Sequence, residues 1–147
     1  YELVIRDWSS DVCSSDLSLY VEDCLFQENK SNTGHGAMNA QSAHVEIQRC
    51  LFLRNTGGSV GALTLEYCNG IVSENTFHAN SGSGGTVRLS DYTFFTHNII
   101  SGELRGFGLQ TVAYTSHTCN LYHDNHAGAV SQPLGAGEVV ADPLYCE

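Results

Sequence analysis

The residues of this chain able to do chemistry are its acids, its seven histidines and its six cysteines. The histidines, His35, His44, His78, His97, His117, His123 and His126, form no HExxH pattern. His123 and His126 lie three apart with Asp124 between them, the one spacing a metal could use, although turn-exposed polar residues are the plainer reading. The cysteines Cys13, Cys24, Cys50, Cys68, Cys119 and Cys146 include no CxxC pair, so a zinc ribbon or a thioredoxin-type site has no support. Asp23, Asp91, Asp124 and Asp142 are candidates for paired-carboxylate hydrolysis, which needs two carboxyl groups within about 10 Å. None of them are near neighbours in the repeat described below. No metal and no cofactor site is expected, and no catalytic residue is assigned. Asn29-Lys30-Ser31 fits a glycosylation sequon, a weak signal by itself.

Composition narrows the partners. Sixteen acids face six bases, a formal net charge of −10, with 41 % hydrophobic and 15 % charged residues. A chain without a basic stripe has nothing to neutralise phosphates, so nucleic acid is not an expected partner. An anionic membrane surface is disfavoured for the same reason. No apolar run approaches the roughly 18 residues of a membrane span. Abundant Asn, Ser, Thr and Gly with a single lysine, Lys30, resemble the surface of a secreted protein.

The elements that would position these groups are set by a repeat. Cys24-Leu25-Phe26-Gln27-Glu28-Asn29 returns as Cys50-Leu51-Phe52-Leu53-Arg54-Asn55 and as Asn75-Thr76-Phe77-His78-Ala79-Asn80. Weaker copies start at Asn98 (Asn98-Ile99-Ile100, ending at Glu103) and at Asn120 (Asn120-Leu121-Tyr122-His123-Asp124-Asn125). The anchors at 24, 50, 75, 98 and 120 are 26, 25, 23 and 22 residues apart, a period that signals a solenoid. Short alternating runs follow Gly36, Gly61, Gly85, Gly108 and Gly128. Other short apolar runs precede the anchors, so each unit reads as about three short strands. Val21, Ile47, Val72 and Phe95 sit three before an anchor; Phe26, Phe52, Phe77, Ile100 and Tyr122 sit two after. Five positions separate these two core columns, an odd number, so the alternation must break in a bend before the anchor. Asn, which tolerates φ > 0, suits such a bend. Stacking at about 4.8 Å would align Asn75, Asn98 and Asn120 as a hydrogen-bonded ladder, with a second column at Asn29, Asn55, Asn80 and Asn125. Cys24 and Cys50 share one column in adjacent units. Small buried residues replacing Asn are the favoured reading, and a disulfide is geometrically conceivable. Cys119 and Cys146 could tie the tail to the last unit, which leaves Cys68 odd.

Repeats of the type Ile/Val-x-x-Asn-x-Phe-x-x-Asn, followed by glycines and a short strand, resemble the right-handed parallel β-helix of the pectate-lyase-like superfamily. The resemblance covers about residues 18–130. Gly137-Glu-Val-Val-Ala-Asp-Pro-Leu-Tyr-Cys146 also resembles the segment after the last coil in many uncharacterised secreted bacterial β-helix proteins. The implied fold is all-β: a right-handed parallel β-helix of about five coils of 22–26 residues over 18–132, with a C-terminal tail at 133–147. Leucine-rich repeats share the period, but their dense leucine pattern is absent.

The polysaccharide lyases of that superfamily use acids that hold Ca²⁺ and a base that abstracts a proton on one exposed sheet. Here the strands after the glycines offer Asn39, Thr64, Arg88 and Thr111 as an outward row, with Glu66 and Asp91 beyond. That row has one base and no paired carboxylates, whereas a hard cation needs several converging oxygens. A solvated face with an isolated ion pair is the plainer reading. The expected function is a structural, adhesive or polysaccharide-binding scaffold, secreted or on a bacterial cell surface, with polysaccharide as the partner class. The alternative is a polysaccharide lyase or glycoside hydrolase whose site is weakly represented here.

Residues 6–17, Arg-Asp-Trp-Ser-Ser-Asp-Val-Cys-Ser-Ser-Asp-Leu, resemble the translation of a common short-read sequencing adapter over twelve consecutive positions. They, and with them 1–17, are expected to be non-native. Without those four acids and one base the formal charge is −7. A truncated solenoid that continues beyond Glu147 is expected, with exposed coil ends and poor solubility.

Overall fold

The computed structural model describes residues 17–90, 92–112 and 115–144. The segment 6–17, Cys13, Asp91 and Cys146 thus lie wholly or almost wholly outside the described residues. Fifteen strands, numbered in chain order, form three parallel sheets among the described residues. The first sheet stacks β1 (Ser18–Glu22), β4 (His44–Gln48), β7 (Asn69–Ser73), β10 (Thr93–Thr96) and β13 (Ser116–Thr118). The second stacks β2 (Leu25–Gln27), β5 (Leu51–Leu53), β8 (Thr76–His78), β11 (Ile99–Ser101), β14 (Leu121–His123) and β15 (Val139–Val140). The third stacks β3 (Met38–Gln41), β6 (Val60–Glu66), β9 (Gly85–Leu89) and β12 (Leu109–Thr111). The chain visits the three sheets in turn, which makes a β-solenoid. It completes four turns rather than the five expected. A partial fifth follows, in which Val130 bridges to Leu109, and β15 then lies along β14.

The corner between the first and second sheets is made by one residue in the left-handed region. Asp23, Arg49, Glu74, His97 and Cys119, at φ between 49° and 59°, precede the five anchors. The bend is where the odd spacing put it, but the anchor Asn is not the residue at φ > 0. The residue before it takes that conformation, and the Asn points inward. A second corner repeats the device at Glu28, Arg54, Ala79 and Asp124, with Gly102 in the fourth turn. A non-glycine residue in this region costs roughly 1–2 kcal/mol, so each corner needs compensation.

The buried Asn ladders provide it. Asn75 Oδ1 accepts from the Cys50 N–H at 2.8 Å, Asn98 Oδ1 from the Asn75 N–H at 3.0 Å, and Asn120 Oδ1 from the Asn98 N–H at 2.9 Å. The second column does the same from Asn55 to Asn29 at 3.0 Å and from Asn80 to Asn55 at 2.9 Å. Cys50 occupies an Asn position and its thiol imitates the amide, lying 3.6 Å from the Val21 carbonyl as Asn75 Nδ2 lies 3.0 Å from that of Ile47. Cys68 repeats this at the third corner, 3.5 Å from the Ala40 carbonyl, so it is a rung of its own column.

Inside the coil the aromatic column packs ring on ring. Phe26–Phe52 and Phe52–Phe77 stack with centroids 4.6 and 4.7 Å apart. Ile100 and Tyr122 continue the register, and all five side chains are buried. The glycines before the third sheet have a steric cause: a Cβ on Gly36 would sit 1.9 Å from the Gly61 carbonyl oxygen of the next turn.

Candidate functional site

The outward residues of the third sheet were the sequence candidates. Register places Asn39 beside Thr64, Thr64 beside Arg88, and Arg88 beside Gln110. Thr111 is therefore not in that row. It pairs with Leu89 and is buried. Pairing shifts between Val60 and Leu63, where the β6 backbone is irregular. Thr64 is also fully buried, its hydroxyl 2.7 Å from His35 Nδ1. Burial pulls the His35 pKa down, Glu66 opposes this and Arg88 adds to it. No ion pair joins Arg88 to Glu66 among the described residues.

The other candidates stay apart. Asp23 binds Arg49 Nε at 2.9 Å on the first corner, and Glu22 meets the same guanidinium. Asp124 occupies a left-handed corner, and Asp142 Oδ1 accepts from the Leu144 N–H at 2.9 Å in the tail. His123 is on β14 and His126 is exposed in the following turn. Among the described residues no three His, Cys, Asp or Glu side chains converge to hold a metal. The sequon asparagine is a ladder rung, its Nδ2 donating to Asn55 Oδ1 at 2.9 Å. Cys24, Cys50 and Cys119 are free thiols.

Two buried carboxylates were not anticipated. Glu103 takes the second ladder's place in the fourth turn. Its Oε1 accepts from the Gly82, Arg105 and Gly106 N–H groups at 3.2, 3.0 and 3.3 Å, and its Oε2 from the Thr86 hydroxyl. Glu138 ends the first ladder. It accepts from Asn120 Nδ2 at 2.7 Å, the Tyr122 hydroxyl at 2.8 Å, His117 Nδ1 at 2.9 Å and the Gly135 N–H at 2.7 Å. Burial alone would raise the Glu138 pKa, but the donors from Asn120, Gly135, Tyr122 and His117 outweigh it and the value is lowered. Burial, and then the Glu138 charge, push the Tyr122 hydroxyl far up. With its side chain 0 % exposed, Glu138 has no access to a substrate. Glu103 and Glu138 complete the ladders rather than form an active site.

The most accessible unusual chemistry lies on the first sheet. Its core residues alternate with outward ones, and the outward, mostly polar set includes large exposed rings. Tyr20 is 65 % exposed on β1, Phe94 60 % on β10, and Tyr92, just before β10, 70 %. Tyr20, Glu46, Ile71 and Phe94 are successive neighbours across four strands. Tyr67, at 68 %, stands at the adjoining corner. Polar groups lie between the rings: His44 Nδ1 is 2.6 Å from Asn69 Oδ1, and the His44 ring meets Tyr20 edge-on at 6.5 Å. The bonds to Asn69 and then Glu46 raise the His44 pKa. Tyr20 and Phe94 each precede a core residue, Val21 or Phe95, so strand alternation alone would have placed both rings in solvent.

Fold and faces together define a β-solenoid scaffold with one aromatic-polar face. Residues 11–141 match the family described as "Right handed beta helix region", and the chain belongs to that family. The match begins inside segment 6–17. Comparison with curated proteins and with solved structures found no match. Among the described residues no helix is long and apolar enough to cross a membrane.

Proposed function

We propose that this β-helix is a non-catalytic polysaccharide-binding scaffold, secreted or held at a cell surface. The carrying observation is the set of exposed rings on the first sheet's outer face: Tyr20 and Phe94 at the two ends of one cross-strand row, with Tyr92 beside Phe94. A folded chain does not leave several large apolar side chains on one flat face without an energetic reason. Pyranose rings present C–H faces that stack on aromatic rings, and their hydroxyls pair with groups such as Asn69, Glu46 and His44. Tyr20 and Phe94 are three strand spacings apart, about 14 Å, enough for an extended chain rather than one sugar.

The alternative, a polysaccharide lyase or glycoside hydrolase, has less support. It needs converging carboxylates, and Arg88 and Glu66 stand without them among the described residues. Affinity electrophoresis in gels containing neutral, uronate-rich or sulfated polysaccharides tests the proposal. Retardation by at least one polymer is expected, and the double variant Tyr92→Ala/Phe94→Ala should weaken it at least ~10-fold, since burying one such ring is worth roughly 1.5–3 kcal/mol. No retardation by any polymer, or an unaffected variant, removes it. Released unsaturated uronate products, read by absorbance with and without Ca²⁺, would establish the enzyme reading instead.

A further inference from the structure

We propose that Cys24 and Cys50 are a disulfide-forming pair that stitches the first turn of the solenoid to the second in an oxidising compartment. The proposal is independent of what the outer faces bind. The two residues occupy the same ladder position in successive turns. Leu25 and Leu51, which follow them, are direct register partners, and the Leu51 N–H donates to the Cys24 carbonyl at 2.9 Å. Stacked strands set equivalent Cα atoms about 4.8 Å apart, inside the roughly 4.4–6.8 Å that a disulfide spans. Both sulfurs point to the same side of the corner. Cys24 Sγ lies 3.2 Å from the Glu22 carbonyl, and Cys50 Sγ lies 3.1 Å from the corresponding Gln48 carbonyl. In the next turns this position holds Asn, whose amide bonds strongly to the neighbouring rung; a thiol reaches the same partners but bonds them only weakly. The two thiols therefore leave the ladder weakest where a covalent link would restore it.

Their environments divide the labour. Cys24 is partly exposed and can meet a soluble oxidant, whereas Cys50 is buried, and burial pushes its thiol up to about 11. With a small-molecule disulfide such as oxidised glutathione, the Cys24 thiolate attacks one sulfur. The oxidant's S–S bond breaks, one glutathione thiolate leaves and takes up a proton, and Cys24 carries a mixed disulfide. The Cys50 thiol then loses its proton to solvent and attacks Cys24 Sγ, expelling the second glutathione thiolate, which is protonated in turn. Two protein thiols are oxidised and one glutathione disulfide is reduced to two thiols. The second step waits on Cys50 ionising, so closure should accelerate as pH rises from 7 to 9.

Incubating the full chain with oxidised glutathione, unfolding it, blocking free thiols with N-ethylmaleimide and mapping peptides by mass tests this. The expected product is one cross-linked pair joining the Cys24 and Cys50 peptides, lighter by two hydrogens, while Cys68 is alkylated. The oxidised protein should melt higher than the reduced one by on the order of 5 °C, a difference absent in Cys24→Ser and Cys50→Ser. In Cys50→Ser, Cys24 should stop at the glutathione adduct. Full alkylation of both residues, a lasting glutathione adduct on Cys24 in the unaltered chain, or pairing of Cys24 with Cys13 would each overturn the assignment.

Discussion

Asn98 bonds in every direction available to its side chain. Its Oδ1 accepts from the Asn75 N–H and from Asn75 Nδ2, both at 3.0 Å, and its Nδ2 reaches the Val72 and Thr96 carbonyls, each at 3.0 Å. Asn98 itself is buried, and so are its bonds to Asn75 and Val72. Asn98→Ala would strand two donors of Asn75 in a dry corner, at roughly 1–3 kcal/mol each. A loss of about 2–4 kcal/mol is expected, read as a lower urea midpoint at unchanged slope. Glu103 separates charge from shape. Glu103→Gln keeps Oε1 for the three backbone donors, and the Thr86 hydroxyl can turn to accept from the new amide, so a change under ~1 kcal/mol is expected. Glu103→Ala orphans those donors and should cost several times more. Comparing the two urea midpoints decides whether the carboxylate matters for its charge. The Asn and Phe columns were legible because identical spacing recurs. Glu103 was not, because it serves the ladder from a position where the repeat reads as degraded.

At the scale of the element, corners and tail carry the testable consequences. Glu74 is exposed at φ 59° in the third turn's corner. Glu74→Gly removes the side chain's clash in that region and adds entropy to the unfolded chain. The first effect is worth roughly 1–2 kcal/mol and the second about 0.5–1. A net gain of about 0.5–1 kcal/mol is expected by denaturant titration, with a loss for Glu74→Val. The tail is held differently. Glu138 draws His117, Asn120, Tyr122 and Gly135 together, while the Cys119 and Val139 N–H groups bond to Ala136 and Asn120 carbonyls, both at 2.9 Å. Its folded pKa is lowered, so its stabilisation is complete above the unfolded value of about 4.3 and is lost as pH falls through the lower, folded value. Hydrogen exchange at Val139 and Cys119, corrected for intrinsic rates, should accelerate in that acid window. In Glu138→Gln it should be faster throughout and nearly flat with pH. The strands themselves were readable from alternation and glycine punctuation. The outward row was misread at its last member because Leu109, not Gln110, stands beside Val87, so Gly108 does not hold the place of Gly85 and counting three past it reaches Thr111 instead of Gln110. The tail's role was hidden because Glu138 lies outside any repeat.

For the whole molecule, charge and shape separate two kinds of glycan. The chain carries a formal charge of −10, and the first sheet contributes Glu22 and Glu46 beside its rings. A uronate-rich or sulfated polymer approaching that face would be repelled over a Debye length of about 10 Å at 0.1 M salt, and released from that repulsion as salt rises. A neutral polymer would feel only stacking and hydroxyl hydrogen bonds, which salt screens little. Isothermal titration at about 50 and about 500 mM NaCl should therefore give a neutral polysaccharide nearly the same affinity at both, within roughly twofold, while any binding of an acidic one strengthens with salt. At low salt the neutral polymer should win. A tighter, salt-weakened complex with an acidic polymer would point away from the aromatic face and toward Arg88 on the third sheet, where a half-buried guanidinium lies beside Thr64 and Gln110 in register. The variants Tyr92→Ala/Phe94→Ala and Arg88→Gln separate the two faces, because Phe94 and Arg88 stand on different sheets, and each should weaken only the binding that its own face provides.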